Sequence, residues 1–426
     1  MIRERLVLAA FLLSVPLVLA QHWEFEQVDS GVMRGPSIAR MADGRICLSY
    51  MSEDSVVWVA FKDTAWHREV VGRMEGYASP TIAVGPHGTV GVVYDSGGIC
   101  YAVRNDTGWI LSRLPTAGHG PRLSYDSADV PLVVSGRTDS DAWVFVSTRA
   151  DTGWATTTLV CAGPGFYLAE SHTAGCFSRD NRAYVFTHDF WDFEHGIGGA
   201  DLSLFEGYGN QWRVAWDSGE CWGCVALALA LDTAGVPAYC FTSPEGSLFL
   251  VDESIDTLVS RASLQFDTLN RPHVAYIASL WSFDRLKYAY RTRGNWFIVE
   301  VPDTCAVVGC DLLLDSLAEP FIAYVRSDGG LWLAHGVDVV GQSEEESKPQ
   351  AASLKPQATV VRGVLRVQVS LFAIHTSLFD MTGRQVMALH PGPNDVRRLS
   401  PGIYSMRQAS GLKREASSIT KVVVTR

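Results

Sequence analysis

Side chains able to do chemistry are densest between Thr187 and Asp201, in Thr-His-Asp-Phe-Trp-Asp-Phe-Glu-His-Gly-Ile-Gly-Gly-Ala-Asp. His188, Asp189, Asp192, Glu194 and His195 stand around Trp191 and Phe193 there. Imidazoles and carboxylates ligate divalent metals, and a pair of acids can cleave a glycosidic bond. The same carboxylates beside aromatic planes can simply grip a sugar. A metal needs ligands converging from fixed elements, whereas these residues sit on a glycine-rich loop with no ligand spacing, so no metal is expected. Two readings follow: a ligand contact, or a loop whose aromatics cover their own sheet.

A second set is spread along the chain: Ser37, Thr81, Arg122, Thr173, Ala228, Ser263 and Asp311, with Arg34, His119, His172 and Arg261 close by in sequence. Arginines so placed could hold a carboxylate through a two-pronged fork. The plainer reading, a channel lined by residues that satisfy water and one another, is preferred. Trp281, in Ser279-Leu-Trp-Ser-Phe-Asp284, could stack on a sugar ring or a partner's apolar surface, or cap its own sheet. Cys221-Trp-Gly-Cys224 is followed by no second Cys or His pair at zinc spacing, so a structural clip or two thiols is expected rather than redox or zinc chemistry. No phosphate loop, Gly-x-Ser-x-Gly elbow or paired metal motif suggests another reaction class, and no cofactor is expected.

The elements that must position these residues form a repeat. Its fullest copy, Asp267 to Val301, contains a polar turn, an apolar strand from Pro272 to Tyr276, a loop, a second strand from Leu286 to Tyr290, a tight turn and a Trp-led strand from Trp296 to Val301. With Ala262 to Phe266 in front, this makes a four-stranded antiparallel sheet. The residue closing the second strand recurs as Tyr50, Tyr94, Ser135, Thr187, Phe241, Tyr276 and Tyr324, a spacing of about 46 residues. That period belongs to propeller blades. Trp66, Trp109, Trp154, Trp212 and Trp296 open the outermost strands, and the fifth unit lacks its Trp. The seventh unit also lacks one, but Trp23, at the head of Trp23 to Val28, lies 13 residues before Pro36, close to the 14 that separate Trp66 from Pro80. The N-terminal strand is therefore predicted to complete the last blade and close the ring. Recurrent turns such as Asp126-Ser-Ala-Asp, Asp232-Thr-Ala-Gly and Asp315-Ser-Leu-Ala-Glu read as turn chemistry, not as catalytic carboxylates.

Composition bounds the rest. The 426 residues are 47% hydrophobic with a formal charge of -11, and no basic cluster could neutralise a run of phosphates, which argues against a nucleic-acid partner. Arg3 and Arg5 precede an apolar run from Leu6 to Ala20, the pattern of a signal peptide over residues 1 to 20; no later run is long enough to cross a bilayer. Nine cysteines in an exported chain invite disulfides, and the neighbours in sequence are Cys161 with Cys176, Cys221 with Cys224, and Cys305 with Cys310. Cys47, Cys100 and Cys240 fall inside strands and read as small buried apolar groups.

A polar stretch rich in Gln, Ser and Glu, about residues 339 to 353, reads as a linker between a propeller over 21 to 338 and a small β-sandwich over 354 to 426. Within the last part, Leu378-Phe-Asp-Met-Thr-Gly-Arg-Gln-Val386, Pro391-Gly-Pro-Asn394, Leu399-Ser-Pro-Gly-Ile-Tyr404 and Lys421-Val-Val-Val-Thr-Arg426 occur in an order that resembles the C-terminal sorting domain of type IX secretion substrates. The resemblance implies a Gram-negative source, passage through the periplasm, and type IX secretion machinery as a partner. Residues 22 to 338 resemble sialidase-like and other repeat-built secreted propellers in fold alone, which transfers no activity. Arg34-Gly-Pro36 stands where sialidases carry Arg-Ile-Pro. The sequence thus predicts an all-β chain, a seven-bladed propeller followed by a small β-domain. It points to non-catalytic binding of glycan or a surface protein outside the cell, with a carbohydrate-active enzyme and a surface scaffold as the alternatives.

Overall fold

A computed structural model describes residues 22–339 except 76–77, 117, 139–141, 152, 163–165, 168–173, 179, 192–199, 209–210, 218–224, 244 and 281–282, and residues 359–425 except 363, 368–372, 381–383, 391 and 411–415. The first part is a ring of seven antiparallel sheets. Blade 1 runs Val32–Arg40, Ile46–Ser52, Val56–Lys62 and Trp66–Arg73 from the inside outward, and five further blades follow in sequence order. Blade 7 takes Val307–Leu314, Pro320–Arg326 and Leu331–Val337 from the end of the ring and His22–Asp29 from its beginning, with Trp23 opposite Gly336 and Phe25 opposite Ala334. Ring closure is as the Trp23 spacing predicts.

The burial pattern follows from the architecture. Second and third strands lie between neighbouring blades and are apolar on both faces, as in Ile46–Ser52, where only the last residue escapes burial. Outermost strands have one wet face and alternate, as in Trp66–Arg73. All seven residues that mark the period are buried. The core is divided into clusters that each join adjacent blades: Tyr288 and Leu286 of blade 6 pack on Ile322, Tyr324 and Ala334 of blade 7, with Trp23 edge-on to Tyr288 at 6.1 Å. Removing these apolar surfaces from water is the main force that holds one blade to the next.

Turn chemistry is confirmed at the inner hairpins. The carboxylate of Asp126 accepts from the backbone N–H of Ala128 and Val130, that of Asp232 from Ala234 and Val236, and that of Asp315 from Leu317 and Glu319, all at 2.8–2.9 Å. The fourth turn residue does more than the sequence suggests. Asn181 and Asn270 reach back to the turn of the preceding blade, accepting from Ser127 N at 2.9 Å and Thr233 N at 2.8 Å.

The disulfide expectation is corrected where it can be seen. Cys176, Cys305 and Cys310 are free thiols. Cys176 and Cys310 pack as apolar groups against the clusters between blades, and burial pushes both thiols up to about 12. Cys176 and Cys310 sit among apolar side chains, and neither is bonded to another cysteine. The side chain of Cys161, together with Cys221 and Cys224, lies outside the described residues. Cys47 and Cys240 are buried, and Cys100 is half-buried.

The C-terminal residues are all-β, with a five-stranded sheet in which Thr359–Arg362 runs parallel to Ala416–Thr425, and a two-stranded sheet of Val364–Val367 and Gly392–Asp395. Leu378, Leu389, Val396 and Tyr404 form its core, and the Tyr404 hydroxyl donates to Ser400 O at 2.7 Å. There is no helix among the described residues long and apolar enough to cross a membrane.

Candidate functional site

The seven innermost strands surround a central channel of about 510 Å³. One residue of each strand lies in a common layer, set by its pairing with the residue just before the period marker: Ser37 opposite Ser49, Thr81 opposite Val93, Arg122 opposite Val134, Ala228 opposite Cys240, Ser263 opposite Ala275 and Asp311 opposite Ala323. The sequence places these six together correctly. In blade 4 the layer residue is Ala174, opposite Phe186, and not Thr173. The innermost strand of that blade is only four residues long and lacks the proline that opens several others, so nothing local fixes its register; a slip of one residue moves every side chain to the other face.

Most of the layer is used to join blades. The Ser263 hydroxyl donates to Asp311 Oδ1 at 2.6 Å and Asp311 Oδ2 accepts from Ile38 N at 2.9 Å, so one carboxylate ties blade 6 to blade 7 and blade 7 to blade 1. Ser37 Oγ accepts from Ile82 N at 3.3 Å, joining blades 1 and 2, and the Thr81 hydroxyl donates to Pro121 O at 2.8 Å, joining blades 2 and 3. Ala174 and Ala228 have only methyl groups and can make no such bond.

Arg122 and Asp311 are enclosed by protein while water in the channel reaches part of their surface. Burial pulls the Arg122 guanidinium below its usual range, opposed by the nearby Asp311 charge. Burial lifts the Asp311 carboxyl above its usual range, against the hydrogen bonds from Ser263 and Ile38 and the charge of Arg122. Arg261 lies two residues before Ser263, exposed, and within electrostatic reach of Arg122. Arg34 lies in the innermost strand of blade 1, opposite Met51. His119 opens that of blade 3 and its Nδ1 lies 2.6 Å from the buried Asp95 Oδ2.

A second polar device, missed in the sequence, operates further out. The period-marking tyrosines of blades 1, 6 and 7 donate to an aspartate at the end of the preceding blade: Tyr50 to Asp29 at 2.5 Å, Tyr276 to Asp256 at 2.8 Å and Tyr324 to Asp303 at 2.5 Å. Each aspartate also meets a cation, Arg68 at 2.5 Å, Lys287 at 2.8 Å and Arg326 at 2.8 Å respectively. Burial alone would raise the Asp303 carboxyl, but Tyr324, the Cys305 N–H and Arg326 together hold it below the usual carboxylate range. In blade 2 the Tyr94 hydroxyl lies against Gly72, where a Cβ would sit 2.2 Å from it, so the preceding blade must have glycine there. The signal was present in the period itself, since tyrosine marks these four blades and Ser135, Thr187 and Phe241 mark the others.

The loop of the fourth blade is shorter than the sequence suggests. His188, Asp189 and Trp191 belong to the strand Ala183–Trp191, with His188 opposite Leu202, Asp189 opposite Asp201 and Trp191 opposite Phe166. Aromatic and β-branched residues extend that strand into what reads as a polar loop. Asp192, Glu194 and His195 lie outside the described residues, as does Trp281. The described residues contain no group of three His, Cys, Asp or Glu side chains placed to hold a metal.

No family model matches this chain, and no curated protein matches it. Solved structures with similar backbones include the fucose-specific lectin from Aleuria aurantia (TM-score 0.44, 11% identity, 74% of this chain and 95% of that one). Others are a protein of unknown function from Dyadobacter fermentans (0.43, 11%, 73% and 98%) and BBS1N in complex with ARL6DN (0.49, 9%, 74% and 96%). At this identity and overlap they say nothing about what this chain binds.

Proposed function

We propose that this chain is an exported propeller that binds a glycan or a surface protein at the mouth of its central channel, without catalysis. One observation carries the reading. The described wall of the channel holds a single carboxylate, Asp311, and that carboxylate is engaged by Ser263 and by Ile38 N. Glycoside hydrolysis normally takes two acids flanking the bond, one of them able to change its proton or attack the sugar. A cavity walled by hydroxyls, backbone and guanidinium groups can hold and orient a ligand, and its described wall offers no second acid to turn one over. Its size is that of an ordinary small-ligand site.

The remaining assignments belong to the same proposal. Residues 1–20 would direct export, 21–338 would form the binding propeller, 339–353 the linker and 354–426 a type IX sorting domain, delivering the propeller to the cell surface or medium of a Gram-negative bacterium. Support comes from the motif order near the C-terminus and from the closed ring. The test is a polysaccharide panel on the full mature chain, reading binding and released reducing sugar in parallel for the wild type and for Asp192→Ala with Glu194→Ala. Binding without release is expected. Release that disappears in the double variant would instead make the fourth-blade loop a hydrolytic site.

A further inference from the structure

The outer joints of the ring follow one plan, and blade 5 breaks it. The Trp that opens an outermost strand reaches the outermost strand of the blade before it: Trp109 Nε1 donates to Glu69 Oε2 at 3.0 Å, Trp154 Nε1 to Ser112 Oγ at 3.3 Å and Trp296 Nε1 to Glu253 Oε2 at 3.3 Å. The residue paired with the Trp brings a cation to the same joint. Arg104 forks onto Glu69 at 2.8 and 2.9 Å, Arg291 meets Glu253 at 2.7 Å, and Lys62 meets Glu26. Arg104 also lies 4.9 Å above the Phe61 ring, so blade 2 covers the outer face of blade 1.

Blade 5 has neither the Trp nor the cation. Its third strand, Leu248–Leu250, is three residues long against ten for Phe283–Thr292 of blade 6, and its outermost strand is Glu253–Asp256. The face of blade 4 turned toward it is left uncovered, and a groove of about 490 Å³ opens there, its described lining all from blade 4. Glu206 pairs with Arg213, the residue after the Trp, just as Phe61 pairs with His67, so it stands where Arg104 covers blade 1. The Glu206 side chain is 12% exposed, and blade 4 supplies its cations: Arg213 on Oε1, and Arg182 Nη1 at 3.6 Å from Oε2. Arg182 also faces Asp180 at 3.9 Å, which balances the charges. Oε2 accepts no hydrogen bond among the described residues and keeps its lone pairs for a donor from outside. Two places along the strand from Glu206, and so on the same face, Tyr208 is 70% exposed and pairs with Gln211.

We propose that this groove is a second carbohydrate site, taking one neutral pyranose unit of a polysaccharide, with the sugar's C–H face on the Tyr208 ring and two adjacent hydroxyls between Glu206 and Arg213. The site lies on the outer rim, apart from the channel mouth, and does not depend on the reading given for the channel. A tyrosine ring presents an apolar plane with a polar tip, which suits a sugar that is apolar on its faces and polar round its edge. A carboxylate fixed beside a guanidinium accepts from one hydroxyl while the guanidinium donates to the next, through charge-assisted bonds. Two cations matched by two carboxylates leave no excess charge, so a neutral unit fits better than an acidic one. The groove has the size of an ordinary small-ligand site.

The experiment is calorimetric titration of the full mature chain with neutral hexaoses of the gluco, manno, xylo and galacto series, for wild type, Y208A, Y208W and E206Q. The expected result is binding of at least one series that falls about tenfold or more in Y208A and in E206Q and is kept in Y208W. The thermal midpoint of Y208A should match that of the wild type, because the ring is mostly in water. Full affinity in both Y208A and E206Q would put the sugar elsewhere and overturn the groove, leaving the channel reading in place. A loss in Y208A that comes with a lowered midpoint and no rescue by Y208W would make Tyr208 a packing residue and overturn it too. Silence from every hexaose would sink the groove, and the channel reading would fall with it only if the wider polysaccharide panel were silent and no surface protein were bound.

Discussion

Two arcs of the ring are closed by different means. From blade 6 through blades 7 and 1 to blade 2, buried polar bonds cross every joint: Ser263 to Asp311 to Ile38, Ser37 to Ile82 and Thr81 to Pro121 on the inside, with tyrosine to aspartate to cation outside them. From blade 3 through blade 5 the tyrosine gives way to Ser135, Thr187 and Phe241, and the inner layer to Ala174 and Ala228. Among the described residues apolar packing closes this arc, with Tyr239 stacked on Phe186 at 4.6 Å and on Trp216 at 5.0 Å. The difference teaches where sequence is free to serve a ligand. Polar residues that fasten blades cannot also be spared for binding, whereas an arc closed by apolar contact leaves its polar positions available.

The largest way to break the comparison is at a fastened joint. Asp303→Ala removes the acceptor of the buried Tyr324 hydroxyl and the partner of Arg326, whose side chain is 19% exposed, and should cost on the order of 3 kcal/mol in urea unfolding. A loss below about 1 kcal/mol would mean that apolar packing closes both arcs alike.

Acid should loosen the fastened arc next. Asp267 at the inner turn of blade 6 is bonded by Arg271 at 2.5 Å and lies 3.3 Å from His273 Nε2. Burial would raise its carboxyl, yet the hydrogen bonds from His273 and from the Arg271 backbone and side chain hold it at about 2. Because the unfolded chain takes up this proton near pH 4 and the folded chain only near pH 2, stability is lost as pH falls through that window, by roughly 2 kcal/mol in all. Acid titration of stability should show this slope in the wild type and a shallower one in Asp267→Asn.

The smallest effect lies in the other arc. Thr187 is fully buried, and its Oγ1 has no hydrogen-bond partner among the described residues. Thr187→Val keeps the shape and removes the orphan hydroxyl, so stability should stay level or rise by up to about 1 kcal/mol. A clear loss would show that the hydroxyl serves a joint after all.

How much of this could be read from residues alone differs with range in sequence. The blade count, the closing strand at Trp23 and the turn aspartates were legible because each depends on local spacing or on a few adjacent residues. The common layer was legible in six blades and off by one at Ala174, where a four-residue strand with no opening proline leaves the register loose; the equally short strand of blade 2 follows Pro80. The partners of Tyr50, Tyr276 and Tyr324 were not legible, since each aspartate lies about 20 residues upstream in another blade and only ring geometry brings it near. Cysteine spacing misled for the same reason: Cys305 and Cys310 are near in sequence, but the innermost strand turns Cys310 into the core.

Hydrogen exchange on the full mature chain, with and without a polysaccharide that it captures, tests binding at the channel mouth most directly. The account predicts added protection in His119–Tyr125, Val225–Leu231 and the start of Val259–Phe266, the innermost strands that carry or flank Arg122 and Arg261. Protection confined to the outermost strands, with these unchanged, would contradict it.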